Sequence, residues 1–272
     1  FGGGGHSKAI VERLGEKGKL ILFDQDENAR RNVPDDKRVL FIPHNFRHIS
    51  RFLQLHGIKE VDGLLADLGV SSHQFDVAER GFSTRFNASL DMRMDQRQQK
   101  TAFDVVNTYS EAQLHKLFEQ YGEVTNSKTL ARTLVEARRT APLQTIDAFK
   151  AAVQSIVKGN PAKYLAQVFQ ALRIEVNDEM GALKALLQQL PQVIKVGGRV
   201  TIITIHSIED RLVKVFFRRG TFEEDVENPF EIKRFENPFV LINKKPIEAS
   251  AEEARRNSRS RSARLRVAEK VK

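Results

Sequence analysis

Apolar and polar positions follow two different periods along this chain, and the change between them is sharpest from Val61 to Met94. Val61, Leu64, Leu65 and Ala66 form a compact apolar run that ends on Asp67, predicting a short buried strand closed by a carboxylate. The segment 68–94 has no helical period. Gly69, Gly81 and clustered Ser and Asn break regular structure, yet Val70, Phe75, Phe82, Phe86, Leu90, Met92 and Met94 stud it too densely for a disordered linker. A strand that stops on an acid and releases an aromatic-studded loop predicts the rim of an α/β sheet, where ligands bind beyond the carboxyl ends of strands.

The remaining elements follow from the same patterns. Runs of strand length occur at 19–23, ending on Asp24, and at 38–42, ahead of Pro43, His44, Asn45 and Phe46. Gly197 and Gly198 turn into another at 199–205, which ends on His206 and Ser207, and 239–243 and 263–268 read as closing strands. Helical spacing puts Ile10, Val11 and Leu14 on one face of a helix stopped by Gly15 or Gly18, recurs over 49–55, and runs from Glu209 and Asp210 through Arg218. Between the strands at 61–67 and 199–205 the pattern is helical. Ser110 with Gln113 makes a capping box before a helix through Gln120, followed by 127–139, 146–157 and a long, broken 162–190. These runs predict an α/β protein whose sheet comes from 1–100 and 176–272, with an all-helical insertion over 101–175. An acidic loop containing Pro and Phe is expected over 220–237.

Composition narrows the function classes. A hydrophobic content of 40% over 272 residues supports a substantial core. No apolar run approaches the ~18 residues needed to cross a bilayer, and no secretory pattern precedes the first motif, so a cytoplasmic location is expected. The absence of cysteine excludes disulfides, thiolate zinc sites and cysteine nucleophiles. The formal charge of +9 is uneven: eight Lys or Arg against Glu269 alone give 255–272 a charge of +7, leaving +2 for the other 254 residues. A polyanion partner and a merely solvated tail both fit this charge. The stretch EEARRNSRSRS is either a mobile arm or a fixed crossover, and 258–266 can equally lead into a final strand with Leu265 and Val267 packed inward.

Candidate chemistry gathers at strand ends. The opening FGGGGHS feeds a helix, a geometry that lets backbone approach a ligand closely. Asp24 follows at about the 20-residue spacing from which an acid reaches ribose hydroxyls in nucleotide-binding βαβ units. Ser7 stands where a dinucleotide fingerprint needs its third glycine, and the strand that should precede the loop is absent, so residues upstream are expected. Phe46 either stacks on an adenine ring or fills the core beneath its loop. Lys128, Arg132, Arg138 and Arg139 give the insertion a basic side, which as a class is more often a solvated face.

Seven motifs run almost end to end: FGGGGHS, FDQD at 23–26, DLGVSSHQ at 67–74, ERGFS at 79–83, LDMRMD at 90–95, IHSIEDRLVK at 205–214 and NSRSRSARLRVAEK at 257–270. Together they make the chain resemble the bacterial 16S ribosomal RNA cytosine-N4 methyltransferase family, with His73 where that family has proline. The resemblance implies a Rossmann-like class I methyltransferase sheet with an inserted helical domain, S-adenosylmethionine as cofactor, and 16S ribosomal RNA of the small subunit as partner. It further implies that Gly4, Gly5 and His6 hold the methionine end of the cofactor and Asp24 its ribose, that Phe46 lies against the adenine, and that Asp67 and Gln74 close the pocket.

Methylation at a pyrimidine ring carbon calls for a cysteine nucleophile, which this chain lacks, whereas an exocyclic amine attacks the sulfonium methyl directly once acceptors draw out its lone pair. Asp67, the following loop carbonyls and the hydroxyls of Ser71 and Ser72 are the acceptors at hand. Asp91, alternating with Met92 as Arg93 does with Met94, either grips the base or pairs with Arg93 to staple the loop. His206 either bonds the cytosine or caps a helix. Arg132, Arg138, Arg139, Arg255, Arg256, Arg259 and Arg261 are the candidate RNA contacts, and no spacing suggests a metal site. The alternative reading is a non-catalytic RNA-binding or ribosome-assembly factor on the same fold; a nicotinamide dehydrogenase is disfavoured by the missing third glycine.

Overall fold

A computed structural model describes residues 1–223 and 235–272, so most of the loop expected over 220–237 lies outside the described residues. Its strands are β1 (Leu20–Phe23), β2 (Val39–Ile42), β3 (Val61–Asp67), β4 (Ile194–Thr204), β5 (Phe239–Leu241), β6 (Ile247–Glu248) and β7 (Arg264–Lys270). β1 and β2 pair in parallel as a sheet of their own, while β3, β4, β7 and β5 lie side by side in that order, with β6 beside β7. β3 and β4 run parallel; β7 is antiparallel to both β4 and β5. The architecture is mixed α/β. Among the described residues, no helix is long and apolar enough to cross a membrane.

Around β1 to β3 lie α1 (Gly5–Arg13), α2 (Ile49–Leu55) and the short α3 (Ser72–Asp76). Then come α4 (Ala102–Thr108), α5 (Glu111–Gly122), α6 (Ser127–Thr140), α7 (Ile146–Val153), α8 (Pro161–Asn177) and α9 (Glu179–Val193), all before β4. α10 (Ser207–Arg219) and α11 (Ala251–Arg256) complete the set. Two apolar clusters organise these elements. Leu183, Leu186, Leu187 and Leu190 of α9 meet Val200 and Ile202 of β4 and the phenylalanines 216, 217 and 239. A second cluster joins α4 to α8 and draws in Phe82, Leu90, Met92 and Met94 from the loop before them, so this loop is packed although it has little regular structure.

Several expectations change. β3 is half exposed rather than buried, with Leu65 at 38%, because it pairs only with β4 and its other edge is unpaired among the described residues. β4 begins at Ile194 rather than 199, and Gly197, at φ 81°, sits inside it where the register to β3 shifts between Val61 and Gly63. Residues 195–198 face Asp62 alone before regular pairing resumes at Arg199, so the glycines still turn the chain into 199–204, within the strand rather than before it. The helical stretch 162–190 is broken as expected, at Asp178, which takes the left-handed conformation at φ 46° between α8 and α9. Of the two forms expected for the segment before β7 it takes the fixed crossover, α11 followed by a 3-10 turn over 258–262. On β7 the buried positions are Arg266, Ala268 and Lys270, not Leu265 and Val267. Partners make that tolerable: Arg266 pairs with Asp210 through two contacts of 2.6 and 3.0 Å, and Lys270 donates to the carbonyls of Pro191 and Ile194.

Candidate active site

The glycine turn before α1 spans the ends of two strands that are not bonded to each other. At one end, Gly2 N donates to Asp24 Oδ2 at 2.7 Å and Asp26 N to Asp24 Oδ1 at 2.8 Å. At the other, His6 Nδ1 lies 3.5 Å from Asp67 Oδ2. Gly4 has φ 76°, and a Cβ there would fall 2.9 Å from the Asn32 carbonyl, so the turn requires glycine; beside Gly3 and Gly5 a Cβ would meet nothing within 4 Å. Gly4, Gly5, His6, Asp24 and Asp67 are thereby brought to one rim. A cleft of about 20 Å³ opens beside it between Gly2, Asp24, Asp26, Asn32, Ser71 and His73. Asp67 sits at the base of the open rim: half its side chain is exposed, yet enough protein surrounds it for burial to push its carboxyl above 3.8, against the attraction of His6. Phe46 follows β2 and packs against the apolar cluster of the sheet, while neighbouring Asn45 donates to Gln25 in the loop after β1.

The loop after β3 turns sharply at Gly69, where φ is 100° and a Cβ would overlap Ile205 Cδ1 at 2.3 Å. Ser71 then caps α3 in a capping box: its Oγ accepts from Gln74 N at 3.2 Å, and its own N donates to Gln74 Oε1 at 3.0 Å. Gln74 is buried, and its Nε2 donates to Asp26 Oδ2 at 2.9 Å, so both ends of this amide are engaged beneath the rim. Ser72 stands exposed at the first turn. Asp26 also receives Arg80 Nη1 at 2.7 Å; burial raises its carboxyl, but the Arg80 and Gln74 hydrogen bonds outweigh this and hold it below 3.8. Asp26 and Arg80 are site-building residues that the sequence reading missed. The S-x-x-Q spacing of Ser71 and Gln74 signals the cap, but nothing local signals a pair 54 residues apart.

Asp91 and Arg93 form a two-pronged ion pair of 2.9 and 2.8 Å within their own loop. His206 caps α10, its Nδ1 accepting from Glu209 N at 3.4 Å. Its Nε2 is buried without a hydrogen bond and lies 3.2 Å from Glu209 Oε1. Among the described residues, Glu179, His206 and Glu209 bring ligand-type atoms within 4.8 Å of one another, a grouping contributed by two separate helix starts. Arg173 opposes a cation there, since it occupies both oxygens of Glu179, at 2.7 and 3.1 Å. Burial raises the Glu179 carboxyl, with Arg173 acting against it.

The candidate RNA contacts divide by what their guanidinium groups already touch. Arg138 donates to the Val106 carbonyl at 2.8 Å, Arg255 to that of Ala251 at 3.2 Å, and Arg256 pairs with Glu252. Arg259 pairs with Asp76 at 2.7 Å and lies over the Phe75 ring. Arg132, Arg139 and Arg261 are exposed and have no such partner among the described residues.

Comparison with known proteins supplies what the geometry leaves open. The profile of the MraW methylase family spans residues 1–271. The chain belongs to that family. It is 53% identical over 272 residues to the ribosomal RNA small subunit methyltransferase H of Azobacteroides pseudotrichonymphae, covering 100% of this chain and 89% of that relative. The proteins of that name from Flavobacterium psychrophilum and Bacteroides thetaiotaomicron are 52% and 49% identical, each over 271 residues and 99% of this chain, covering 92% and 89% of their own lengths. As a member of the MraW methylases, the chain is a methyltransferase.

Proposed function

We propose that this chain transfers a methyl group from S-adenosylmethionine to the exocyclic N4 of a cytidine in 16S ribosomal RNA, working in the cytoplasm on the small ribosomal subunit. The observation that carries the reading is the glycine turn that ties Asp24, at the end of β1, to Asp67, at the end of β3. Two carboxylates on a rim with open space at Gly3 and Gly5 suit a cofactor that is a cation without phosphates. In the class I methyltransferase arrangement we infer, 1–100 and 176–272 form the body and 101–175 an inserted substrate-recognition domain; the separate apolar cluster of α4 to α8 supports this division.

When bound, S-adenosylmethionine supplies an electrophilic methyl group on a sulfonium. Gly4, Gly5 and His6 hold its methionine end, Asp24 accepts from its ribose hydroxyls, and Phe46 offers a face to the adenine. Gln74 supports this pocket from below through Asp26 and Ser71. Asp67 and the Ser72 hydroxyl accept from the target amine, drawing its lone pair out of conjugation, while Ser71 sets the loop that carries them. Asp91 and His206 fix the surrounding loops, and positioning carries most of the rate. The exposed arginines 132, 139 and 261 contact phosphates, and Arg138, Arg255, Arg256 and Arg259, which already have partners in the fold, contribute less.

Mass spectrometry of small-subunit RNA treated with the protein and cofactor tests the reaction. N4-methylcytidine is the expected product, and a ring-carbon isomer or no product sinks it. Asp24→Ala should weaken cofactor binding by about 1.5 to 3 kcal/mol, the scale of hydrogen bonds to a charged group. Unchanged calorimetric affinity in a folded variant removes Asp24 from the site.

A further inference from the structure

The strip Asp91–Met94 is gripped from both sides by residues that take no part in the chemistry proposed above. From the sheet side, buried Arg80 joins Asp26 to the carbonyls of Arg93 at 2.8 Å and Met94 at 3.1 Å. From the other side Asn177, in the last turn of α8, accepts from Met94 N at 2.7 Å and donates to the Met92 carbonyl at 2.8 Å. The backbone between is strained. Met92 is fully buried with φ 62°, a conformation that a residue with a side chain keeps only where its surroundings over-determine it. Gly81 packs so tightly against the backbone entering the strip that a Cβ there would lie 2.6 Å from the Ser89 carbonyl and 3.0 Å from Asp91 N. The strip also touches the rim, since Met94 Sδ lies 3.4 Å from Gln25 Nε2 in the loop after β1.

We propose that Arg80 and Asn177 are positioning residues that make this strip a rigid link between the cofactor side of the cleft and the helices that seat RNA. The inference rests on the function proposed above. The connections run from Asp24 through the Asp26 amide, the Asp26 carboxylate and Arg80 to the strip, and from the strip through Asn177 to α8. α8 packs on α5, which packs on α6, the helix that carries Arg132 and Arg139. Arg80, Asp26 and Asn177 are each at least nine-tenths buried, so water cannot replace a broken bond, and a shift at one end costs a contact at the other. Methyl transfer needs the amine and the methyl at about 3 to 3.5 Å in line. A loosened strip therefore appears in kcat more than in either affinity.

The test uses the full chain with Asn177→Ala and Arg80→Lys, unmethylated small ribosomal subunits as substrate, and S-adenosylhomocysteine as an unreactive probe. Each variant should bind probe and subunits singly within about threefold of the unchanged chain, yet lose the mutual tightening expected between the two in the unchanged chain, a coupling of about fivefold or more. The loss in kcat should be about ten- to a hundredfold for Asn177→Ala. Arg80→Lys should fall between, because an ammonium keeps the Asp26 pair but cannot fork across two carbonyls. Unchanged kcat per folded molecule, with losses that follow melting temperature, overturns the proposal. So does an unchanged chain in which neither ligand alters the other's affinity. If the unchanged chain binds no S-adenosylhomocysteine at all, the parent reading fails instead.

Discussion

Asp67, in the site proposed above, shows how a residue placed for binding can cost stability. Burial lifts its carboxyl above 3.8, so the folded state holds the proton more tightly than the unfolded chain. The sign follows: folding gains from this group at low pH, and the gain is lost as pH rises through the raised folded value. Binding of a cationic cofactor has the opposite preference, because only the ionised form attracts it, so affinity should climb with pH over the same window and then level off. Asp67→Asn should raise the melting temperature slightly, lower cofactor affinity, and flatten its pH dependence in this window. Calorimetry across a pH series decides, and a variant that keeps the wild-type slope assigns the titration to another group. Asp67 and Asp24 were legible in the sequence because each ends an apolar run. Asp26 was not, since its meaning depends on Arg80 and Gln74, brought to it by the fold.

At the level of elements, β7 departs furthest from its sequence pattern. Alternation along RLRVAEK reads as Leu265 and Val267 inward, yet the buried face carries Arg266 and Lys270. The deciding partner, Asp210, lies on α10, where sequence alone marks it as an acid suited to the first turn of a helix. Burial raises the Asp210 carboxyl, but the Arg266 hydrogen bonds and charge outweigh that and hold it below 3.8. Removing one member leaves the other charged and buried, so Asp210→Ala should destabilise the fold by about 3 to 5 kcal/mol. Asp210→Ala with Arg266→Met should recover much of the loss. Urea unfolding of the two variants measures this, and a double variant no better than the single one shows that the pair is needed for more than charge balance. The helices from α5 to α8 were read closely from the sequence because capping and apolar spacing are local; the register shift in β4 was not, because it exists only against a partner strand.

For the whole molecule, the net charge of +9 is a misleading guide to where RNA lies. The basic C-terminal stretch looks like an arm in sequence, but most of its cations are paired with groups of the chain itself, two of them buried and the others at the surface. Arg266 and Lys270 are buried, Arg264 reaches Asp210, Arg256 takes Glu252, Arg259 takes Asp76, and Lys272 takes Glu236. Of the candidate RNA contacts, Arg261 together with Arg132 and Arg139 on α6 are exposed and without such partners among the described residues. Each phosphate neutralised contributes somewhat under one unit to the salt slope of RNA binding, so changing these three to Gln should flatten the slope by about two to three units. Cofactor affinity and melting temperature should not move. Changing Arg255, Arg256 and Arg259 instead should flatten the slope less and lower the melting temperature, since Arg259 also holds the turn before β7 against Asp76 and Phe75. RNA affinity measured at several salt concentrations, beside melting curves, separates the two triples. An equal change in slope for both restores the tail as a phosphate clamp and makes its ion pairs exchangeable with the backbone of the RNA.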